Sequence, residues 1–118
     1  MNTARGVSLA TKLVVVDHRS LLAIDRVGFG KVNQGKVCRR AFVVRTADNS
    51  PLGEIVIENA GCQYVSVATQ GSPTKSHAIV AATFNGASTG VYRGVLTLIP
   101  SNGQHDLIRI PYDCDVIQ

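Results

Sequence analysis

The sequence predicts an all-β fold, a sandwich of antiparallel sheets built from seven to nine short strands. Three observations lead there. Apolar and polar residues alternate at period two in one segment after another. Clusters of Gly, Asn, Asp, Ser and Pro punctuate those segments roughly every ten residues, the spacing of turns in a sandwich. No long segment carries a helical i, i+3, i+4, i+7 apolar stripe free of Gly or a β-branched run. Composition agrees: of 118 residues 45% are hydrophobic and 17% charged, with no Trp and only three Phe and three Tyr, so the core is built largely from Val, Ile, Leu and Ala. That balance excludes wholesale disorder, collagen and coiled coil. The expected organisation is one domain over residues 11–118, preceded by a frayed or artificially appended N-terminus at 1–10.

The elements follow in order. "TKLVVV" (11–16) is a first strand candidate, followed by a loop and an extended piece around "IDRVGFGKV" (24–32). In "KVCRRAFVVRT" (36–46) the period of two places Cys38, Phe42, Val44 and Thr46 on one face and Arg39 and Arg45 on the other. "ADNSP" turns the chain. Ile55 and Ile57 alternate with Glu54 and Glu58, "QYVSVAT" (63–69) is the next strand, and "QGSPTK" closes it. Ala78, Val80, Ala82 and Phe84 share a face, as do Tyr92, Leu96 and Leu98, and finally Ile108, Ile110, Tyr112, Cys114 and Val116. The predicted core is Phe42, Val44, Ile55, Ile57, Val80, Phe84, Leu96, Leu98, Ile108 and Ile110.

Charge is lopsided. Residues 1–45 carry nine Lys and Arg against Asp17 and Asp25, whereas residues 46–118 carry three basic and six acidic side chains. Arg26, Lys31, Arg39 and Arg45 make a candidate basic interaction face, with Glu54, Glu58, Asp113 and Asp115 expected on the opposite side. Such a bipolar surface suits stacking or docking and predicts a monomer or weak, salt-sensitive self-association. No apolar stretch is long enough to span a membrane as a helix, and the chain as given shows no signal peptide.

The order of short motifs carries a resemblance. "VGFGKVNQG" (27–35), a strand ending "AFVVRT" (41–46), the turn "NSPL", a strand leading to "AGC" (60–62), "AIVAATF" (78–84) and "GVLTLIPSNG" (94–103) follow one another over residues 24–117. This resembles immunoglobulin-like domains of the Hydin and major-sperm-protein type. It resembles more closely a bacterial domain family of unknown function with a Phe-Gly-x-Val start, a Phe-x-Leu-x-Asn strand end and a Cys-Gly-Cys after the next strand. Phe29, Gly30 and Val32 match the first motif, while Thr46 stands in place of the Asn and Ala60 in place of the first Cys. The resemblance implies an immunoglobulin-like sandwich, a tandem-prone domain class and a periplasmic or extracellular setting. Phe29 followed by Gly30 suits a chain that tucks an aromatic under the sandwich and then bends at positive φ. In an immunoglobulin-like strand order Cys38 and Cys114 come to the same end with inward parity, making them the candidate disulfide, with Cys62 unpaired; two buried thiols acting as small hydrophobes is the alternative.

No chemical constellation emerges. Ser76, His77 and Asp106 lack a nucleophile elbow. Cys62 has no cationic residue within three positions, and the glycines around Lys31 fit neither phosphate-loop spacing. The cysteines and His18, His77 and His105 lack metal-ligand spacing. The expectation is therefore a non-catalytic structural or protein-interaction module, without metal or cofactor. It would be one domain of a larger cell-envelope or surface protein, meeting a protein partner or neighbouring domains by edge-strand or face contact. The alternative is a nucleic-acid-binding module using the basic strand face.

Overall fold

The computed structural model describes residues 19–72 and 74–118. The strand expected at 11–16 and the N-terminus expected at 1–10 lie outside them. Eight strands are present among the described residues: β1 Leu21–Leu22, β2 Val27–Asn33, β3 Val37–Thr46, β4 Ile55–Ala60, β5 Val65–Gln70, β6 His77–Asn85, β7 Gly90–Pro100 and β8 Ile108–Ile117. They form two four-stranded sheets, ordered β2-β8-β7-β4 and β1-β3-β6-β5. The sandwich is as the sequence predicts, with two refinements. The loop expected before residue 24 contains the two-residue strand β1, which pairs with Arg45 and Thr46. One pairing is parallel: β2 runs alongside β8, while every other ladder is antiparallel.

The parallel pair follows from the chain's path. After β1 leaves the second sheet, the chain crosses to the first as β2, then returns to the second as β3 through the turn at 34–36. There Gly35 (φ 86°) takes the left-handed conformation and its N–H bonds to Gly86 O at 2.8 Å. Within β2 the register slips between Asp113 and Asp115 on β8, so Phe29 and Gly30 together face the single residue Cys114. Gly30 sits at φ 72°, and this bulge lets Phe29 and Val32 both point inward.

Alternation does the rest. Phe42, Val44 and Thr46 are buried on β3 while Arg39, Val43 and Arg45 face out, and Tyr112, Cys114 and Val116 are buried on β8. Of the predicted core, Ile55, Ile57 and Ile108 are half-buried and pack against its edge, because they lie on an edge strand or at a strand start. Five of the six aromatics converge in one cluster: Phe29–Phe84 and Phe84–Tyr92 ring centroids are each 5.5 Å apart, Tyr64–Tyr92 is 5.4 Å, and Tyr112 stands edge-on to Phe29 at 6.2 Å. Phe84, wholly buried, sits at the junction of Phe29, Tyr64 and Tyr92. Truncating Phe84 to Ala should cost about 3–5 kcal/mol in urea unfolding; a loss below about 1 kcal/mol would mean the cluster does not hold the sheets together.

Candidate functional site

The interior polar groups place the surfaces. The Tyr112 hydroxyl donates to Asn59 Oδ1 at 2.6 Å, and Asn59 Nδ2 donates to Cys62 O at 2.7 Å and Val65 O at 3.3 Å. This reach is open only because Gly94 has no side chain: a Cβ there would collide with the Tyr112 hydroxyl and Ala60 O. Burial raises the Tyr112 phenol above its usual range, so it remains a donor.

Asn59 thereby pins the end of β4 to the start of β5, the edge strands of the two sheets on one flank. The bonding alternation of these edges can be read from their ends. Tyr64 O accepts from Asn85 N on the β6 side, whereas Val65 O turns to Asn59, so Val67 and Thr69 direct their backbone groups away from β6. On β4, Glu54 O accepts from Ser101 N, so Ile55 and Ile57 direct theirs toward the same flank. Away from Asn59 the edges part into a cleft of about 300 Å³ lined by Glu54, Ile55, Thr69, Gln70, Ser72 and Ala78.

The edges are guarded unequally. β2 is bulged at Gly30, and Arg40 Nε closes its gap to β3 by donating to Gly28 O at 3.3 Å. β4 carries Glu58, and β3 is partly covered by β1. β5 has six residues with no charge, no Pro and a regular register.

The four residues of the candidate basic face do not share a face. Arg39 and Arg45 project outward from β3, but β2 lies in the other sheet. Arg26 pairs with Asp113 at 3.8 Å, and Lys31 sits in register with Asp115. The acidic side chains Glu58, Asp113 and Asp115 do lie on the opposite sheet, but with Lys31, Arg93 and Arg109 among them. The bipolarity seen along the chain does not become an acidic face, because neighbouring strands of that sheet supply both signs.

Sequence reasoning missed a polar cluster at the other end of the sandwich. His105 is buried, with Nε2 3.0 Å from Ser50 Oγ and Nδ1 3.2 Å from Asn102 Nδ2. Asn102 is oriented by two backbone groups: Nδ2 donates to Leu52 O at 3.2 Å, and Oδ1 accepts from Gln104 N at 2.9 Å. Nδ1 of His105 therefore accepts, its proton resides on Nε2, and Nε2–H donates to Ser50. The Ser50 hydroxyl in turn donates to Asp48 Oδ1 at 2.6 Å. This tautomer has no lone pair aimed at the serine, and Asp48 lies beyond the serine instead of behind the imidazole, so the set is a clasp between two loops and lacks the wiring of a nucleophile with its base. Its turn residues were legible in "ADNSP" and "PSNGQ"; their meeting across more than fifty positions was not.

Cys38, Cys62 and Cys114 are free thiols. Cys38 Sγ lies 3.6 Å from Phe29 O as a weak donor. Burial, reinforced by Cys38 and then Asp115 and Cys62, pushes the Cys114 thiol up to about 11, the reverse of an activated nucleophile. Among the described residues no group of His, Cys, Asp or Glu is arranged to hold a metal, and no helix is long and apolar enough to cross a membrane.

No protein-family model matches the chain, and no curated protein matches it. Solved structures do. The PapD-like (ASH) domain 7 of human CEP192 is similar at 10% identity with a TM-score of 0.57, over 100% of this chain and 97% of that one. Domains 1–6 of the surface layer protein SbsC are similar at 14% identity and a TM-score of 0.55, over 83% of this chain. The secreted serine protease VesC of Vibrio cholerae is similar at 13% identity and a TM-score of 0.55, again over 83%. This chain spans only 13% and 23% of the latter two. At these identities the likeness is one of fold, and the fold is an immunoglobulin-like β-sandwich.

The clasp yields a pH prediction. Hydrogen bonds from the Ser50 hydroxyl and then the Ser50 N–H hold the Asp48 carboxyl below its usual value. A depressed folded value means this stabilisation is present above about pH 4, the unfolded carboxylate value, and is lost as pH falls through the lower folded one. Asp48→Asn should therefore lower the melting temperature at neutral pH and converge on the parent in strong acid. Parallel melting curves at all pH values would show that Asp48 does not tie the clasp.

Proposed function

We propose that this domain is a non-catalytic interaction module that accepts an extended segment of a protein partner or neighbouring domain by strand addition at β5. The carrying observation is the contrast between β5 and the other three edges among the described residues: of these, β5 alone combines a six-residue length with absence of charge, Pro and bulge. An incoming strand would meet the open backbone groups of Val67 and Thr69 and lay a side chain into the cleft beside Ile55. Similarity in fold to a surface layer protein of several domains supports placing the module in a larger cell-envelope or surface protein, periplasmic or extracellular. A nucleic-acid platform on the basic strand face of Arg39 and Arg45 is less favoured, since no aromatic side chain stands outward on that sheet for bases to stack on.

Val67→Pro tests the mechanism, because the lost N–H points away from β6 and an edge strand tolerates Pro there. Peptides selected from a random display library on the native protein should shift the amide resonances of Val67 and Thr69 and lose at least about tenfold in affinity for the variant, the equivalent of ~1.4 kcal/mol. Equal binding to the two proteins would remove strand addition at β5.

In an oxidising compartment we further propose that Cys38 and Cys114 are bridged, tying β3 to β8 across the core, with Cys62 unpaired. Inward parity on β3 and β8, and the charge that Cys38 would place near the Cys114 thiol, support the pairing. Oxidation by glutathione disulfide should give this single cross-link by mass spectrometry and raise stability by up to about 4 kcal/mol in the chain-entropy model. Full recovery of three free thiols after such treatment would exclude the bridge.

A further inference from the structure

Exposed aliphatic side chains occur on both sheets, Val56 and Val91 on one and Val43 and Ile79 on the other; among the described residues the outer face of the β1-β3-β6-β5 sheet differs in the charges set around them. Val43 stands in register with Ile79, and one pair along, Ala41, Ala81 and Ala68 align across three strands. Ile24, Val43 and Ile79 are 44%, 49% and 40% exposed. Leu22, Ile24, Ala41 and Val43 line a shallow depression of about 440 Å³. On β3 this apolar floor is bracketed by Arg39 and Arg45, about 20 Å apart at the ordinary rise of a strand.

The charge on its strands is one-signed, with Asp25 beside Ile24 at the rim. None of the four strands of this sheet contains an Asp or Glu. The other sheet carries Glu58, Asp113 and Asp115 against Lys31, Arg93 and Arg109, a mosaic that cancels. Among the described residues a second copy thus has no acidic face to offer. No Phe, Tyr or Trp lies at an outward position of the sheet, so there is no stacking platform for nucleobases. We propose that this face docks a protein segment whose apolar side chains are bracketed by two carboxylates spaced to meet Arg39 and Arg45. The apolar floor supplies contact area, while the arginines fix register and exclude basic partners. The site is separate from strand addition at β5 and stands without it.

The probe is a fluorescein-labelled peptide, Glu-Thr-Val-Thr-Val-Thr-Glu, whose two Val and two Glu share one strand face at the Arg39-to-Arg45 spacing. Anisotropy titration of the whole chain should show saturable binding at low salt that weakens at molar salt. Binding should fall about tenfold when Arg39→Ala and Arg45→Ala are combined, and at least as far in Val43→Lys. It should be unchanged in Val67→Pro, which separates this face from the β5 edge. The proposal is overturned if the acidic peptide shows no saturable binding, if its Lys-ended version binds as tightly, or if a random-sequence oligonucleotide binds more tightly. Insensitivity to the double arginine variant overturns it as well, and loss in Val67→Pro would transfer the peptide to the edge of β5.

Discussion

The placement of the open flank depends on one buried hydrogen bond, from the Tyr112 hydroxyl to Asn59 across the bare backbone of Gly94. Tyr112 is 2% exposed, and a phenol taken that far from water needs an acceptor or costs stability. Asn59 supplies the acceptor and spends its amide hydrogens on Cys62 O and Val65 O, which end the β4–β5 connection. Gly61, at φ 108° and where a Cβ would run into Arg93 O and Gly94 Cα, turns the chain in the space left over. The two edge strands are thus held together at one end by side-chain chemistry. They part at the other, where nothing equivalent joins Ile55 to Thr69, so closed end and cleft are two outcomes of one constraint.

The opposite end is fastened by different means. There the loops before β4 and before β8 meet through Asp48, Ser50, Asn102 and His105, each donor pointing at the next acceptor until the chain of bonds ends on an exposed carboxylate. A buried imidazole with both nitrogens engaged is satisfied and rigid, and its order of bonds withholds the lone pair a base would need. The thiol behaves likewise: apolar surroundings drive Cys114 toward the protonated form. In both places the surroundings withhold the lone pair or thiolate that a nucleophile or its base would need.

Much of the fold was legible because period-two alternation is local. Phe42, Val44, Val80, Phe84, Leu96, Leu98 and Ile110 could be assigned inward from their neighbours alone, and all are buried. Gly30 after Phe29 announced a bend, which proves to be the bulge that keeps both Phe29 and Val32 inside. What alternation cannot convey is which strand neighbours which. The grouping of Arg26 and Lys31 with Arg39 and Arg45 failed for that reason: proximity in sequence across the β2–β3 turn hides a change of sheet. The His105 clasp and the Tyr112–Asn59 bond escaped on the same ground, since each joins residues more than fifty positions apart whose side chains carry no motif.

That limit bears on how such a module can acquire partners. A sandwich needs its inward positions filled with apolar groups and its loops supplied with turn formers, and those demands consume most of the recognisable pattern in the chain. Outward positions are free, and both sheets use some of them for exposed aliphatic side chains, but their charges have diverged: one sheet sets opposite charges in register, while the strands of the other hold arginines without a carboxylate. Neutralising charges on adjacent strands favours solubility and discourages stacking, whereas a one-signed apolar face carries a solubility penalty that an acidic partner would relieve. The asymmetry between two faces of equal strand count therefore marks the arginine-bearing sheet as the side on which surface chemistry has departed from what folding alone requires.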